Sequence, residues 1–197
     1  MKVTFAKQRD FIYTLAVDIP YTHEEIIEEL KNENWLPDEA GYGQNSFPTR
    51  FRDKQVQGTK LLEIEKWIEH GDFKSKIIDQ LYSEKMFPAY WGVSPEHMMS
   101  ITHMYGGFTK DCPGYSIRIH TDDRMHVVQG MIYFINGDDP GQSTTAYSNK
   151  NGDNPLRIPT GHGIGYFAAN TNDSWHTGQN SSEQDRYSLI FGIRLNL

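Results

Sequence analysis

From residue 98 to the C-terminus the chain breaks into short strand-like runs separated by Gly, Pro, Asn and Asp, and this pattern limits the possible folds most severely. The runs fall at 98–105, 115–120, 125–135, 143–147, 156–158, 164–168, 175–178 and 187–195. Seven or eight such strands can bury their apolar faces if two sheets fold over one another and close. The expected fold is therefore mainly β with N-terminal helices: a double-sheet jelly roll closing on itself. A barrel of that kind holds a pocket between its sheets, screened from bulk water.

The first half of the chain reads as a support for that barrel. Residues 11–17 form an early strand pattern. Thr22-His23-Glu24-Glu25 is a capping box, and Ile26, Ile27 and Leu30 continue it as a short helix to about Asn32. The density of Pro, Gly, Asn and Asp from Trp35 to Arg52 predicts a loop. Leu61, Ile64 and Ile68, beside Trp67, recur at helical spacing; Gly71 can end that helix and Asp72 can cap the next, whose apolar face is Phe73, Ile77, Ile78 and Leu81. These stripes are core packing against the outer face of a sheet. One domain over 1–197 is expected, with a helical buttress and early strands over about 1–95 and the jelly-roll core with its metal site over about 96–197.

Composition narrows the function classes. A charge of −7 and a pI near 5.6 argue against a nucleic-acid or anionic-membrane partner, since phosphate binding needs a basic footprint. No apolar run reaches the length of a membrane span, and Met1-Lys2-Val3 leads into polar residues rather than a signal-peptide core, so a cytoplasmic protein is expected. Cys112 is the only cysteine, which excludes an internal disulfide and a thiolate metal cluster. It sits in a Pro-Gly loop without a nearby base.

Chemistry concentrates at Tyr115-Ser116-Ile117-Arg118-Ile119-His120-Thr121-Asp122. Side chains on a strand alternate with period two, so His120 and Asp122 leave the same face and can share a ligand. With eight His and fourteen Asp in the chain, a His-x-Asp arises by chance roughly 0.6 times, so the pair needs its context. His176, fifty-six residues on, would complete two imidazoles and a carboxylate on one face of a metal, the set that non-haem Fe(II) oxygenases use while leaving positions open. His126 and His162 are the rival third ligands; neither has an arginine suitably placed on the following strand. His23, His70, His97 and His103 read as surface or packing residues. Ten residues after His176 come Arg186 and Ser188, facing one way within a strand, and a guanidinium beside a hydroxyl suits a carboxylate.

With these elements in order over about residues 100–195, the chain resembles the Fe(II)/2-oxoglutarate-dependent oxygenases, nearest their prolyl-hydroxylase-like branch, which implies a jelly roll of the double-stranded β-helix, cupin-like type. The matching elements are 115–122, the strand 130–136, Gly141, Pro159-Thr160-Gly161, Gly165-Tyr166-Phe167, His176 and Arg186-Tyr187-Ser188. The resemblance implies Fe(II) held by His120, Asp122 and His176, with 2-oxoglutarate chelating it and its far carboxylate on Arg186 and Ser188. Dioxygen would be the second cosubstrate, succinate and CO2 the by-products, and a hydroxylated C–H bond the outcome. Where the family often has a tyrosine before a Leu-Asn pair, Phe134 stands before Ile135-Asn136, and Tyr133 points to the opposite face. Tyr105 or Tyr115 is then the expected source of the missing hydroxyl.

A prolyl residue in a peptide or a small amino-acid derivative is the first substrate class this implies; a sugar or other metabolite is the rival within enzymes. A redox-inert jelly roll that binds a metal or ligand is the rival from another class. Thr177, Tyr147 and Trp175 could line the pocket. Asp123-Arg124 reads as a solvated turn pair, and 149–155 as a mobile loop at the barrel mouth.

Overall fold

A computed structural model describes residues 1–37, 50–53, 55–84, 91–123 and 125–196. In chain order its elements are β1 (Lys2–Arg9), β2 (Ile12–Asp18), α1 (His23–Asn32), β3 (Trp35–Pro37), β4 (Arg50–Asp53), α2 (Thr59–His70), α3 (Phe73–Tyr82), α4 (Pro95–Ile101), β5 (Thr102–Asp111), β6 (Tyr115–Ser116), β7 (His126–Tyr133), β8 (Thr144–Ala146), β9 (Leu156–Arg157), β10 (Ile164–Ala169), β11 (His176–Asn180) and β12 (Arg186–Leu195). Strands β5 to β12 make the jelly roll: β10-β7-β12-β5 in the larger sheet face β6-β11-β8-β9 in the smaller, and every pairing is antiparallel. The β1–β2 hairpin extends the larger sheet beyond β10, and β4 and β3 extend it beyond β5. This is the jelly roll expected from the strand pattern, of the double-stranded β-helix type. No helix among the described residues is long and apolar enough to cross a membrane.

The period-two rule divides the core. Along β12, Leu189, Phe191 and Ile193 point to the helices, while Arg186, Ser188 and Ile190 point into the barrel. Outside the sheet, Ile26 and Leu30, Leu61, Ile64 and Ile68, and Phe73, Ile77, Ile78 and Leu81 pack against Phe108, Phe134 and Phe167. Inside it, Met131, Tyr133, Ala146, Ile158, Tyr166 and Ile190 form a second apolar cluster. The Thr22 capping box is present in both directions, at 3.3 and 2.8 Å. Asp72 occupies the N-cap of α3 but makes no side-chain cap bond; its carboxylate takes Lys76 instead, at 2.6 Å.

Several sequence expectations need correction. Residues 98–101 belong to a helix, not a strand: Pro95 stands in its first turn and the Ser94 hydroxyl accepts the His97 N–H at 3.2 Å, a start signal hidden by the apolar run after it. The stretch 35–52 is not all loop. Trp35–Pro37 and Arg50–Asp53 are strands, because β5 presents an edge that β4 completes; residues 38–49 and Arg124 lie outside the described residues. Lys2–Arg9, which lacks a clear apolar alternation, is a strand by pairing with β2. Only Tyr115–Ser116 of the 115–120 run is a strand.

β10 lies close against β7, and Gly165 permits it. A methyl group there would overlap the Met131 carbonyl oxygen and crowd the Ile132 backbone at 2.9 Å. Backbone cannot swing aside as a side chain can, so Gly165→Ala is expected to cost about 3 kcal/mol or more, read as a lower midpoint in thermal or urea unfolding. An unchanged midpoint would show that the two strands are not held at this spacing.

Candidate metal centre and its cavity

The site begins with one pair of backbone hydrogen bonds. His120 and His176 form an isolated antiparallel bridge, His120 N–H donating to the His176 carbonyl at 3.0 Å and His176 N–H to that of His120 at 2.9 Å. Residues paired in this way project their side chains to the same side. Their rings lie 4.5 Å apart between centroids. The chain beyond His120 is irregular, yet Asp122 returns to that side. Its Oδ1 lies 3.7 Å from Nε2 of His120 and 3.7 Å from Nε2 of His176.

These distances are too long for hydrogen bonds, while one donor atom from each residue falls within a 4.8 Å cluster. Among the described residues it is the one such group of three. Each imidazole is oriented by its other nitrogen: Nδ1 of His120 lies 2.8 Å from the Arg118 carbonyl and Nδ1 of His176 lies 3.0 Å from that of Ser174. A carbonyl can only accept, so Nδ1 carries the proton and the Nε2 lone pairs turn toward the shared point. Burial, and then the neighbouring His176 ring, press the His120 pKa below the usual histidine value, which favours the neutral form a metal requires. Two neutral imidazoles and a carboxylate fit a divalent first-row ion.

The three side chains line a small cavity between the sheets, about 50 Å³, so that its walls solvate whatever enters. Rungs of the larger sheet run from the metal-ligand group toward the buried Arg186–Asp111 pair. Gly107, Ile190, Met131 and Tyr166 make one; Thr109, Ser188 and Tyr133 the next; Arg50, Asp111 and Arg186 the last. Arg186 and Asp111 are both 0 % exposed. Nε and Nη2 of Arg186 donate to Oδ2 of Asp111 at 3.0 and 2.6 Å, and Nη1 donates to the carbonyl of Gln179 at 2.8 Å and toward those of Gln142 and Ser143. Nη2 of Arg50 donates to the same carboxylate at 2.8 Å. Burial raises the Asp111 pKa, but the charges of Arg186 and Arg50 outweigh it and hold the carboxyl below its ordinary value.

The other residues singled out from sequence divide clearly. Tyr115 lines the cavity, its ring 4.3 Å under the Arg50 guanidinium. Ser188 is buried one rung from Arg186, and its hydroxyl lies 2.9 Å from Oγ1 of Thr109 rather than facing the cavity. Tyr105 stands far from Arg186: it pairs with Gly192, six residues along the ladder from the Arg186 pair, about 20 Å at the usual strand rise. Tyr133 lies nearer, paired with Ser188 one rung from the Arg186–Asp111 pair. It does point away from Phe134, but the face it points to is the barrel interior, where its hydroxyl donates to Oγ1 of Thr144 at 2.7 Å.

His126 and His162 stand outside the three-residue group. His126 begins β7 with its ring 5.6 Å from that of Tyr105, and Nε2 of His162 lies 2.9 Å from the Tyr21 carbonyl. Trp175, Thr177 and Tyr147 do not line the cavity. The 149–155 segment is a bonded turn: the Asn149 side chain meets the Asn151 and Asp153 N–H groups and the Asp153 carboxylate, and Gly152 packs near Ile119. Arg50, Thr144 and Tyr166, which line the cavity, and Asp111, which holds Arg186, carry no role by sequence alone, because only the strand register brings them together.

A two-sheet barrel with this site at one end of its cavity has the double-stranded β-helix fold of the 2-oxoglutarate and Fe(II) oxygenases. Similar solved structures include a Pseudomonas putida prolyl-4-hydroxylase (TM-score 0.56, 13% identity, 95% of this chain and 94% of that one). They also include a 2OG-Fe(II) oxygenase family oxidoreductase from Burkholderia pseudomallei (0.57, 9%, 95% and 85%) and a Trichoplax adhaerens prolyl hydroxylase in complex with a hypoxia-inducible-factor peptide fragment (0.57, 11%, 93% and 83%). The sequence matches no family model and no curated protein. At these identities the likeness is one of fold.

Proposed function

We propose that the chain is an Fe(II)- and 2-oxoglutarate-dependent dioxygenase that hydroxylates a C–H bond, with a prolyl residue of a peptide or a small amino-acid derivative as the substrate class. The observation that carries this reading is the approach of two lone-pair-bearing imidazole nitrogens and one carboxylate oxygen at the wall of a cavity that ends in a buried guanidinium. His120, Asp122 and His176 would hold the metal. Bound there, Fe(II) with 2-oxoglutarate supplies the oxygen chemistry: the keto acid and O2 give succinate and CO2, and the substrate gains a hydroxyl.

The chain's own residues bind, orient and exclude water. The Arg118 and Ser174 carbonyls keep each imidazole in the ligating tautomer. The Asp122 carboxylate offsets one unit of the metal's charge, leaving it affinity for an anion. Arg186, fixed by Asp111, offers positive charge for the cosubstrate's far carboxylate. Met131, Ile190 and Tyr166 keep the space between these ends apolar. The substrate class is supported by the resemblance and by the prolyl hydroxylases among the fold neighbours.

Incubation in air with Fe(II) and 2-oxoglutarate, followed by mass spectrometry of proline-containing peptides and amino-acid derivatives, tests the proposal. The expected result is succinate formation coupled to a gain of one oxygen on one candidate. A protein that binds metal yet forms no succinate above the metal-free control would instead be a binding module.

A further inference from the structure

Resting on that reading, we infer that Gln129 is a specificity-determining residue: its side-chain amide binds a neutral amide group of the substrate beside the metal, in preference to a carboxylate. Gln129 lines the same cavity as His120, Asp122 and His176. It stands on the inner face of β7, two residues from Met131 and therefore one rung, about 7 Å, further from Arg186. Its partners on that rung are Ala168 of β10 and Gly192 of β12. Tyr105 of β5 lies across Gly192, where a Cβ would stand 2.6 Å from the phenol oxygen. On the neighbouring rung a Cβ built on Gly107 would meet nothing within 4 Å, which leaves open space beside this one.

Among the described residues the Gln129 amide makes no hydrogen bond, and its polar atoms are not sealed off, so a ligand can reach them. By contrast, Arg50 and Arg186 are held by Asp111, and Thr144 is bonded to Tyr133. A half-buried primary amide offers two donors and an acceptor, and leaving them unanswered costs more than an apolar side chain would. A substrate amide both donates and accepts, and so answers them. A carboxylate only accepts, which leaves the Gln129 carbonyl facing a negative oxygen. The charged groups are distributed to match. Arg50 and Arg52 pair with Asp111 and Thr109, on rungs nearer Arg186. Arg194 follows on the rung beyond Gln129, but it is exposed and its charge is screened. Ala168, Gly192 and Tyr105 bring no charge to the rung between.

The test uses the full chain loaded with Ni(II) and 2-oxoglutarate, titrated calorimetrically with two matched pairs: N-acetyl-L-prolinamide against N-acetyl-L-proline, and N-acetyl-L-leucinamide against N-acetyl-L-leucine. In at least one pair the amide is expected to bind about fivefold or more tighter than the acid. Gln129→Leu keeps the bulk and removes the amide. It should weaken the preferred amide about five- to thirtyfold, as for one or two neutral hydrogen bonds, and change 2-oxoglutarate affinity less than about twofold. In a chain that binds Ni(II), no amide preference in either pair, a preference that survives Gln129→Leu, or equal loss of 2-oxoglutarate overturns the inference. A preference in the leucine pair alone supports it and counts against the prolyl reading. A second arm follows the side-chain NH2 signals of the metal-free, nitrogen-15-labelled chain during addition of the same compounds, those of Gln129 being identified by their loss in Gln129→Leu. If the chain binds no Ni(II), the metal reading fails and this arm decides. Gln129 signals that move with an amide and not with its acid support the inference, and signals that no amide moves overturn it.

Discussion

Asp122→Ala is expected to lower divalent-metal affinity by at least about a hundredfold, since losing a group that merely orients a ligand already costs ten- to a hundredfold. Asp122 is the one anion among the three donors and lies 3.7 Å from both imidazole nitrogens, so its removal takes away a donor atom and the group's one negative charge together. His176→Ala should do the same. His126→Ala is the control: that ring lies outside the donor group, and its loss should leave metal affinity within about threefold, because no bond to the ion is removed. Titration with Ni(II) or anaerobic Fe(II) followed by calorimetry distinguishes the three. Equal weakening by the His126 and His176 variants would point to a general loss of folding, and no weakening by Asp122→Ala would remove the carboxylate from the site.

The second large effect concerns stability. Asp111→Asn leaves Arg186 fully buried without its anion, and breaking a buried pair from one side costs about 3–5 kcal/mol. For a chain of this length that corresponds to a thermal midpoint lower by on the order of 10 °C. The pH dependence has a definite sign. The folded carboxyl has a pKa below its ordinary value of 3.8, so the pair's contribution is complete above about pH 4 and is lost as pH falls through the lowered folded pKa. The gap between wild type and Asp111→Asn should therefore be constant from neutral pH to about pH 5 and should narrow in stronger acid. A gap that widened on acidification would contradict the assignment of Asp111 as a charged partner.

Local signals made much of this legible in the sequence. Turn residues between short apolar runs outlined the strands of the barrel, and the 3.6-residue apolar period placed α1, α2 and α3 to within about two residues. His-x-Asp with a distant His named the three residues that the fold brings together. Features set by pairing were hidden. β4 exists because β5 has an edge to fill, and Asp111 faces Arg186 because of a register across seventy-five residues. Tyr133 illustrates the same limit: alternation showed that it opposes Phe134, but only the sheet shows that its side is the interior. Tyr105 shows the converse, standing on the inner face but six residues along the ladder from the Arg186 pair, a separation only the register reveals.

Anaerobic addition of 2-oxoglutarate to the Fe(II)-loaded chain, followed by visible absorption, most directly examines whether three side chains leave one metal open to a chelating keto acid. The wild type is predicted to develop a metal-to-ligand charge-transfer band that saturates with one 2-oxoglutarate per chain, and Asp122→Ala and His176→Ala to develop none. A wild-type protein that binds Fe(II) tightly yet shows no such band at saturating 2-oxoglutarate would contradict the account.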